Sequence, residues 1–282
     1  MTDTSTGLEA ASFARPPLPV ASSKRVAAAW MLSNAWVSWQ GARAIRRIAL
    51  ATPVPQTWAA DIRSKRVLVV GTGPSLDRVT PDFFAGFDTA LYMNFALSQK
   101  REGPQPYFFT GDIGMIRPVL DKIGPGALAA LGPGRSVVAP IYLDQWNLLT
   151  TQGRNLFTFL SCDRTSWTVR SARIGPVRLP LIVRCAPAET DWTTYKLPTP
   201  GPLIPVPTQT SALGAVMFAA VQGAGEIGLI GCDFSAGRSQ GLAGTQAAAA
   251  ATTFSGAAEE FKAMAAALQR NGLTATNYSW LV

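Results

Sequence analysis

The residues best suited to chemistry in this 282-residue chain are a glycine-rich pentapeptide and two aspartates. Gly71-Thr72-Gly73-Pro74-Ser75 follows directly on the apolar, β-branched run Arg66 to Val70. Glycines let a backbone approach an anion closely, N–H groups exposed in such a turn donate to phosphate oxygens, and Thr72 and Ser75 add hydroxyl donors. No Gly-Lys-Ser/Thr follows, so this is not a P-loop, and the spacing of a full dinucleotide fingerprint is absent. Taken alone, Gly-x-Gly reads equally well as a tight turn without a ligand. Asp112 and Asp233 each come just after a short apolar run. Either suits holding a ribose hydroxyl, binding a metal or accepting a proton, and either also suits an Asx turn. Asn94 ends a further apolar run. Thr210-Ser211 opens an apolar helical stretch, where a helix cap and an anion site coincide. The chain contains no histidine, which removes the usual metal ligand and the commonest general base at neutral pH. Cys162, Cys185 and Cys232 lack metal-ligand spacing, so no metal site is expected, and their odd number argues against a disulfide framework.

The elements that position these residues alternate between strands and helices. Arg66–Val70, Thr89–Met93, Tyr107–Thr110 and Ser136–Tyr142 have the short apolar form of buried strands, as do Ile227–Ile230 and Leu273–Tyr278. Helices are expected over Ala212–Gln222, capped by Thr210-Ser211 and stopped by Gly223 to Gly225, and over Gly256–Arg270, closed by Asn271-Gly272. The order implies an α/β fold, a Rossmann-like mostly parallel sheet with helices on both faces. Residues 150–207 are proline-rich and broken, and are expected to form an irregular lid insertion. Before the sheet, residues 1–22 read as a disordered leader. Residues 23–60 read as an amphipathic helix with a linker, leaving 61–282 as the Rossmann-like domain. In an open α/β sheet ligands sit beyond the carboxyl ends of the strands, which is where Gly71 to Ser75, Asn94, Asp112 and Gly231 to Asp233 all fall.

Composition narrows the partners. With 48% hydrophobic and 15% charged residues, global disorder is excluded. A net charge of +8 favours an anionic substrate or an acidic surface. The basic residues are dispersed and no nucleic-acid-binding motif frames them, so nucleic acid is not expected as a partner. Acidic residues among the first ten and the absence of a long apolar run argue against a secretory signal and a membrane span. The expected location is therefore cytoplasmic. Trp30, Trp36 and Trp39, flanked by Lys24-Arg25 and Arg43 to Arg47, would suit peripheral contact of residues 24–50 with the inner face of a membrane. The same helix would equally suit packing on the core or in a homo-oligomer.

Val67-Leu-Val-Val-Gly-Thr-Gly-Pro-Ser-Leu-Asp77 followed by Phe87-Asp-Thr-Ala-Leu-Tyr-Met-Asn94 resembles the start of the bacterial sialyltransferases of glycosyltransferase family 42. So does Thr210-Ser-Ala-Leu-Gly-Ala-Val-Met-Phe-Ala-Ala220 with Ile227-Gly-Leu-Ile-Gly-Cys-Asp-Phe234. The same blocks are similar to the MptE-like domain of flagellin-modifying Maf glycosyltransferases and archaeal pterin diphosphokinases. The resemblance implies a CMP-linked nonulosonic acid as nucleotide-sugar donor, a surface glycan or flagellin as acceptor, and catalysis without a metal or other cofactor. It maps the phosphate loop to Gly71, Thr72, Gly73, Pro74 and Ser75, donor contacts to Asn94, Thr210 and Ser211, and nucleoside contacts to Gly231 and Asp233. Thr72 stands where those enzymes carry Asn. Their general base is a histidine, whereas the corresponding region here, Ala247 to Ser255, offers none. Asp112 is then the candidate catalytic residue, and its setting in Tyr-Phe-Phe-Thr-Gly-Asp fits the MptE-like pattern. That alternative implies a diphosphokinase acting with Mg2+ on a pterin-like substrate. A binding or scaffold protein without activity is the third reading.

Overall fold

A computed structural model describes residues 55–111, 116–132, 134–138, 159–162, 167–171, 175–179, 183–184, 192–197, 199–200, 203–204, 210–235, 237–242, 254 and 256–282. The expected leader, the Trp-rich helix before residue 51, Asp112, the strand residues after Val138 and the stretch 247–253 lie outside the described residues.

Six strands form one parallel sheet: β1 (Arg66–Val70), β2 (Thr89–Met93), β3 (Gln105–Thr110), β4 (Ser136–Val138), β10 (Glu226–Ile230) and β11 (Thr274–Asn277), in the order β11-β10-β1-β2-β3-β4. All five neighbouring pairs are parallel. The chain steps outward from β1 to β4, then crosses back to lay β10 against the other side of β1. The direction of winding therefore reverses between β1 and β10, which makes that seam the topological switch point of a Rossmann-like α/β fold.

The strand residues alternate between two buried layers because successive side chains of a strand point to opposite faces. Leu68, Val70, Ala90, Tyr92, Phe108 and Ile230 join one apolar cluster. Val67, Val69, Leu91, Met93, Tyr107, Phe109, Ile227 and Leu229 join the other. This explains the continuous apolar composition of β1, which has no solvent face to mark with polar residues. The first layer is closed by Phe84 of the short helix α2 (Pro81–Ala85), by Val119 and Leu120 of α3 (Ile116–Ile123), and by Leu128 of α4 (Pro125–Ala129). The second is closed by α1 (Gln56–Ile62), α5 (Ser211–Val221) and α6 (Ala257–Arg270). Burying each large side chain here contributes roughly 1.5–3 kcal/mol.

Helix α5 is apolar on every side, and Ala212 through Val221 are all buried. Its Phe218 packs edge-on against Trp58 at 5.1 Å and stacks on Phe109 at 5.8 Å. Helix α1 belongs to this packed layer, since Trp58 and Ile62 are fully buried in it.

Residues 150–207 contain more order than their composition predicts. Strands β5 (Phe159–Cys162), β6 (Trp167–Ser171) and β7 (Gly175–Leu179) form an antiparallel sheet, and β8 (Val183–Arg184) pairs in parallel with β9 (Leu203–Ile204). These strands are short, of two to five residues each. Their pairing, not their periodicity, defines them. No helix among the described residues is long and apolar enough to cross a membrane.

Candidate functional site

Parallel strands end on one edge of the sheet, so Gly71, Asn94, Gly111 and Gly231 are brought to the same rim by β1, β2, β3 and β10. Between β1 and β10 the two strand ends lock together. Gly71 N–H donates to Ile230 O at 2.7 Å, and Gly73 N–H donates to Gly231 O at 2.7 Å. A Cβ on Gly71 would stand 2.1 Å from Gly231 O, and one on Gly231 would stand 2.6 Å from Gly71 O. Gly231 also has φ +65°, a conformation that side chains resist. The glycines are therefore required by the approach of one loop to the other.

Ser75 and Asp233 complete this lock. Ser75 is fully buried; its Oγ donates to Asp233 Oδ2 at 2.8 Å and accepts from Gly231 N–H at 3.0 Å. The Ser75 N–H donates to the same carboxylate at 3.3 Å. A Cβ on Gly73 would lie 2.0 Å from Asp233 Oδ2, so the carboxylate occupies the space that glycine leaves. Asp233 thus holds the loop in shape as its acceptor. Beside it, burial and the Asp233 charge push the Cys232 thiol up, which keeps it an inert core group. The turn is pinned from behind by Cys232 N–H to Ser279 Oγ at 2.9 Å and by Asn277 Nδ2 to Cys232 O at 3.0 Å.

This geometry changes the expected role of the loop amides. Gly71, Gly73 and Ser75 spend their N–H groups on Ile230, Gly231 and Asp233, and Pro74 has none to give. The Ser75 hydroxyl is likewise committed. Of the pentapeptide's donors, the Thr72 N–H and hydroxyl hydrogen are the ones to which no protein acceptor is assigned among the described residues.

The opposite side of β1 is different in kind. Thr72 and Asn94 each lie two residues past the Val70–Tyr92 pair. Asn94 has φ +50° and begins a 3₁₀ turn, Asn94–Gln99. Its Oδ1 is buried without a hydrogen-bond partner. Asparagine tolerates this left-handed conformation better than most residues, and a buried amide without a partner costs free energy unless a ligand supplies one. At the next strand end, Gly111 N–H donates to Ser211 Oγ at 3.2 Å, which ties β3 to the start of α5. Thr210 caps that helix by accepting from Leu213 N–H at 3.4 Å. Asp112 follows Gly111 immediately in the chain.

Sequence reasoning missed the segment after Asp233. It passes over the glycine-rich loop, with Ser239 N–H donating to Thr72 O at 2.9 Å. Asp77 accepts from Ser239 Oγ at 2.6 Å and from Gln240 N–H at 2.8 Å, while Gln99 Nε2 donates to Ser239 Oγ at 3.1 Å. Arg238 Nη1 donates to Thr72 Oγ1, and Arg238 Nε is buried without a partner. Nothing in the sequence around Gly237-Arg238-Ser239 distinguishes this arginine from the other basic residues.

The rim thus combines a rigid glycine turn with a small set of polar groups to which no protein partner is bonded among the described residues: the Asn94 amide oxygen, the Thr72 donors and the Arg238 Nε. Such a set can hold an anionic, hydrogen-bonding ligand in a fixed orientation. No protein-family model, curated protein or solved structure matches this chain.

Proposed function

We propose that this chain is a glycosyltransferase that binds a CMP-activated sugar at the β1–β2–β10 rim and transfers the sugar to a surface glycan or flagellin. The observation that carries the reading is the buried, partnerless Oδ1 of Asn94 at a strand end beside the glycine-rich loop. That oxygen is an acceptor suited to a ribose hydroxyl or a base amino group. In this reading Thr72 faces the donor phosphate, Thr210 and Ser211 set the N-terminus of α5 toward the sugar, and Gly231 and Asp233 keep the loop in its binding shape. With no histidine in the chain, a carboxylate must take the proton from the acceptor hydroxyl. Asp233 is engaged by Ser75, so the role falls to Asp112, next in sequence after the rim residue Gly111. General-base loss typically lowers rate about 10²–10⁴-fold, the effect expected of Asp112→Asn on transfer.

Isothermal titration of the full chain with CMP and a panel of nucleotides tests the binding half. Saturable binding of CMP in preference to purine nucleotides supports it, and no binding of any nucleotide up to millimolar concentration overturns it. Transfer that persists in EDTA separates this reaction from a Mg2+-dependent diphosphokinase. Nucleotide binding without transfer to any acceptor would leave a binding protein in its place.

A further inference from the structure

Arg238 stands apart from the other charged side chains of the rim. It is half-buried, bonded to Thr72 of the glycine-rich loop, and its Nε is enclosed without a partner. The ion pairs found among the described residues do not include it. Asp77 and Asp233, the carboxylates that hold this segment and the loop, bond to Ser239 and Gln240 and to Ser75 rather than to the guanidinium. Burial draws the guanidinium below its ordinary pKa, yet arginine remains protonated at neutral pH. A partly buried cation outside any ion pair, with one N–H enclosed and unbonded, costs a folded protein free energy that an anionic ligand removes. The loop amides that would otherwise serve a phosphate are already spent on Ile230, Gly231 and Asp233.

From this geometry we propose that Arg238 is the anion receptor of the site, its guanidinium joining the Thr72 N–H and hydroxyl to bind the phosphoryl group of a nucleotide ligand. The inference rests on the nucleotide reading above and adds to it the residue that carries the phosphate charge. Arg presents a planar fork that matches phosphate oxygens two at a time, so the contact gives orientation as well as charge.

Titration of CMP, cytidine and inorganic pyrophosphate into the full-length wild type, Arg238→Ala, Arg238→Gln and Arg238→Lys tests it. The expected result is a loss of CMP affinity of roughly 10- to 100-fold in the Ala and Gln variants, with the Lys variant between them and wild type. Cytidine affinity should stay within about twofold, since it has no phosphoryl group to lose. The Gln variant keeps a donor for Thr72 without the charge, so the comparison holds even where the Ala variant fails to fold. CMP binding that is equal in wild type and Arg238→Gln overturns the role of Arg238 and leaves the nucleotide reading standing. Pyrophosphate binding that depends on Arg238, with no nucleotide bound, keeps the anion site and removes the nucleotide reading. Absence of CMP and pyrophosphate binding in the wild type removes both.

Discussion

The strand ends on the two sides of β1 behave oppositely. Toward β10 the turn is tied by a chain of hydrogen bonds: Gly71 with Ile230, Gly73 with Gly231, Ser75 with Asp233 and Gly231. Toward β2 the groups are left open, with Asn94 Oδ1 and Arg238 Nε buried and unpartnered. Closed hydrogen-bond networks specify a shape, whereas buried open valences cost stability unless something else fills them. The glycine-rich loop is therefore a closed frame on its β10 side and leaves buried polar groups open on its β2 side. The aspartate that the sequence offers as a ligand contact also holds this frame, through Ser75.

This contrast predicts a graded series of substitutions. The largest effect is expected for Gly231→Ala. Its methyl would meet Gly71 O at 2.6 Å in a residue with φ +65°, and overpacking plus left-handed strain together cost about 2–5 kcal/mol. Urea unfolding should show that loss in full, and a variant as stable as wild type would mean that the seam is not locked. Ser75→Ala comes next. It strands the buried Gly231 N–H and removes the hydroxyl donor to Asp233, at a cost of about 1–3 kcal/mol. Thermal melts should fall accordingly, and any change in ligand affinity should be recovered once the fraction folded is accounted for.

Asn94→Ala should invert that pattern. Removing an amide whose oxygen has no protein partner loses no hydrogen bond there, so the stability cost should be limited to about 1 kcal/mol of left-handed strain for alanine at φ +50°, while nucleotide affinity of the folded protein drops roughly tenfold. Equal affinity in wild type and variant, measured by titration, would move the binding surface away from β2.

The smallest effect is expected at Tyr195, whose hydroxyl is buried and unpartnered away from the rim. Tyr195→Phe should be neutral or slightly stabilising at pH 7, because no hydrogen bond is lost. Burial also pushes the Tyr195 hydroxyl up to about 12 from its ordinary 10.0. The folded state then holds the proton where the unfolded state releases it. Stability is retained below pH 10 and falls as pH rises toward 12. Chemical unfolding across that range should be less steeply pH-dependent in the Phe variant.

Much of the frame is readable from residue order. The runs Arg66–Val70, Thr89–Met93 and Glu226–Ile230 are strands because β-branched and aromatic residues bounded by turn residues fit a sheet buried on both faces. The cap at Thr210 and the stop at Asn271-Gly272 fall where side-chain acceptors and glycine end helices. Gly71-x-Gly73 is legible for the same local reason, since only glycine leaves room at a close backbone crossing.

What faced the glycines across that crossing was not legible. The partners Asp233 and Gly231 lie 158 and 156 residues from Ser75 in the chain. The network joining Asp61 to Tyr107 at 2.9 Å and to Arg135 at 2.8 Å likewise spans 46 and 74 residues. Local composition thus determined the strands, the caps and the glycine turn, because each follows from backbone conformations that neighbouring residues prefer or forbid. Only tertiary structure decided that β10 returns beside β1, that Asp233 supports the loop, and that Arg238 reaches Thr72. Those outcomes depend on which distant groups the crossover brings within hydrogen-bond range and which it leaves unpaired.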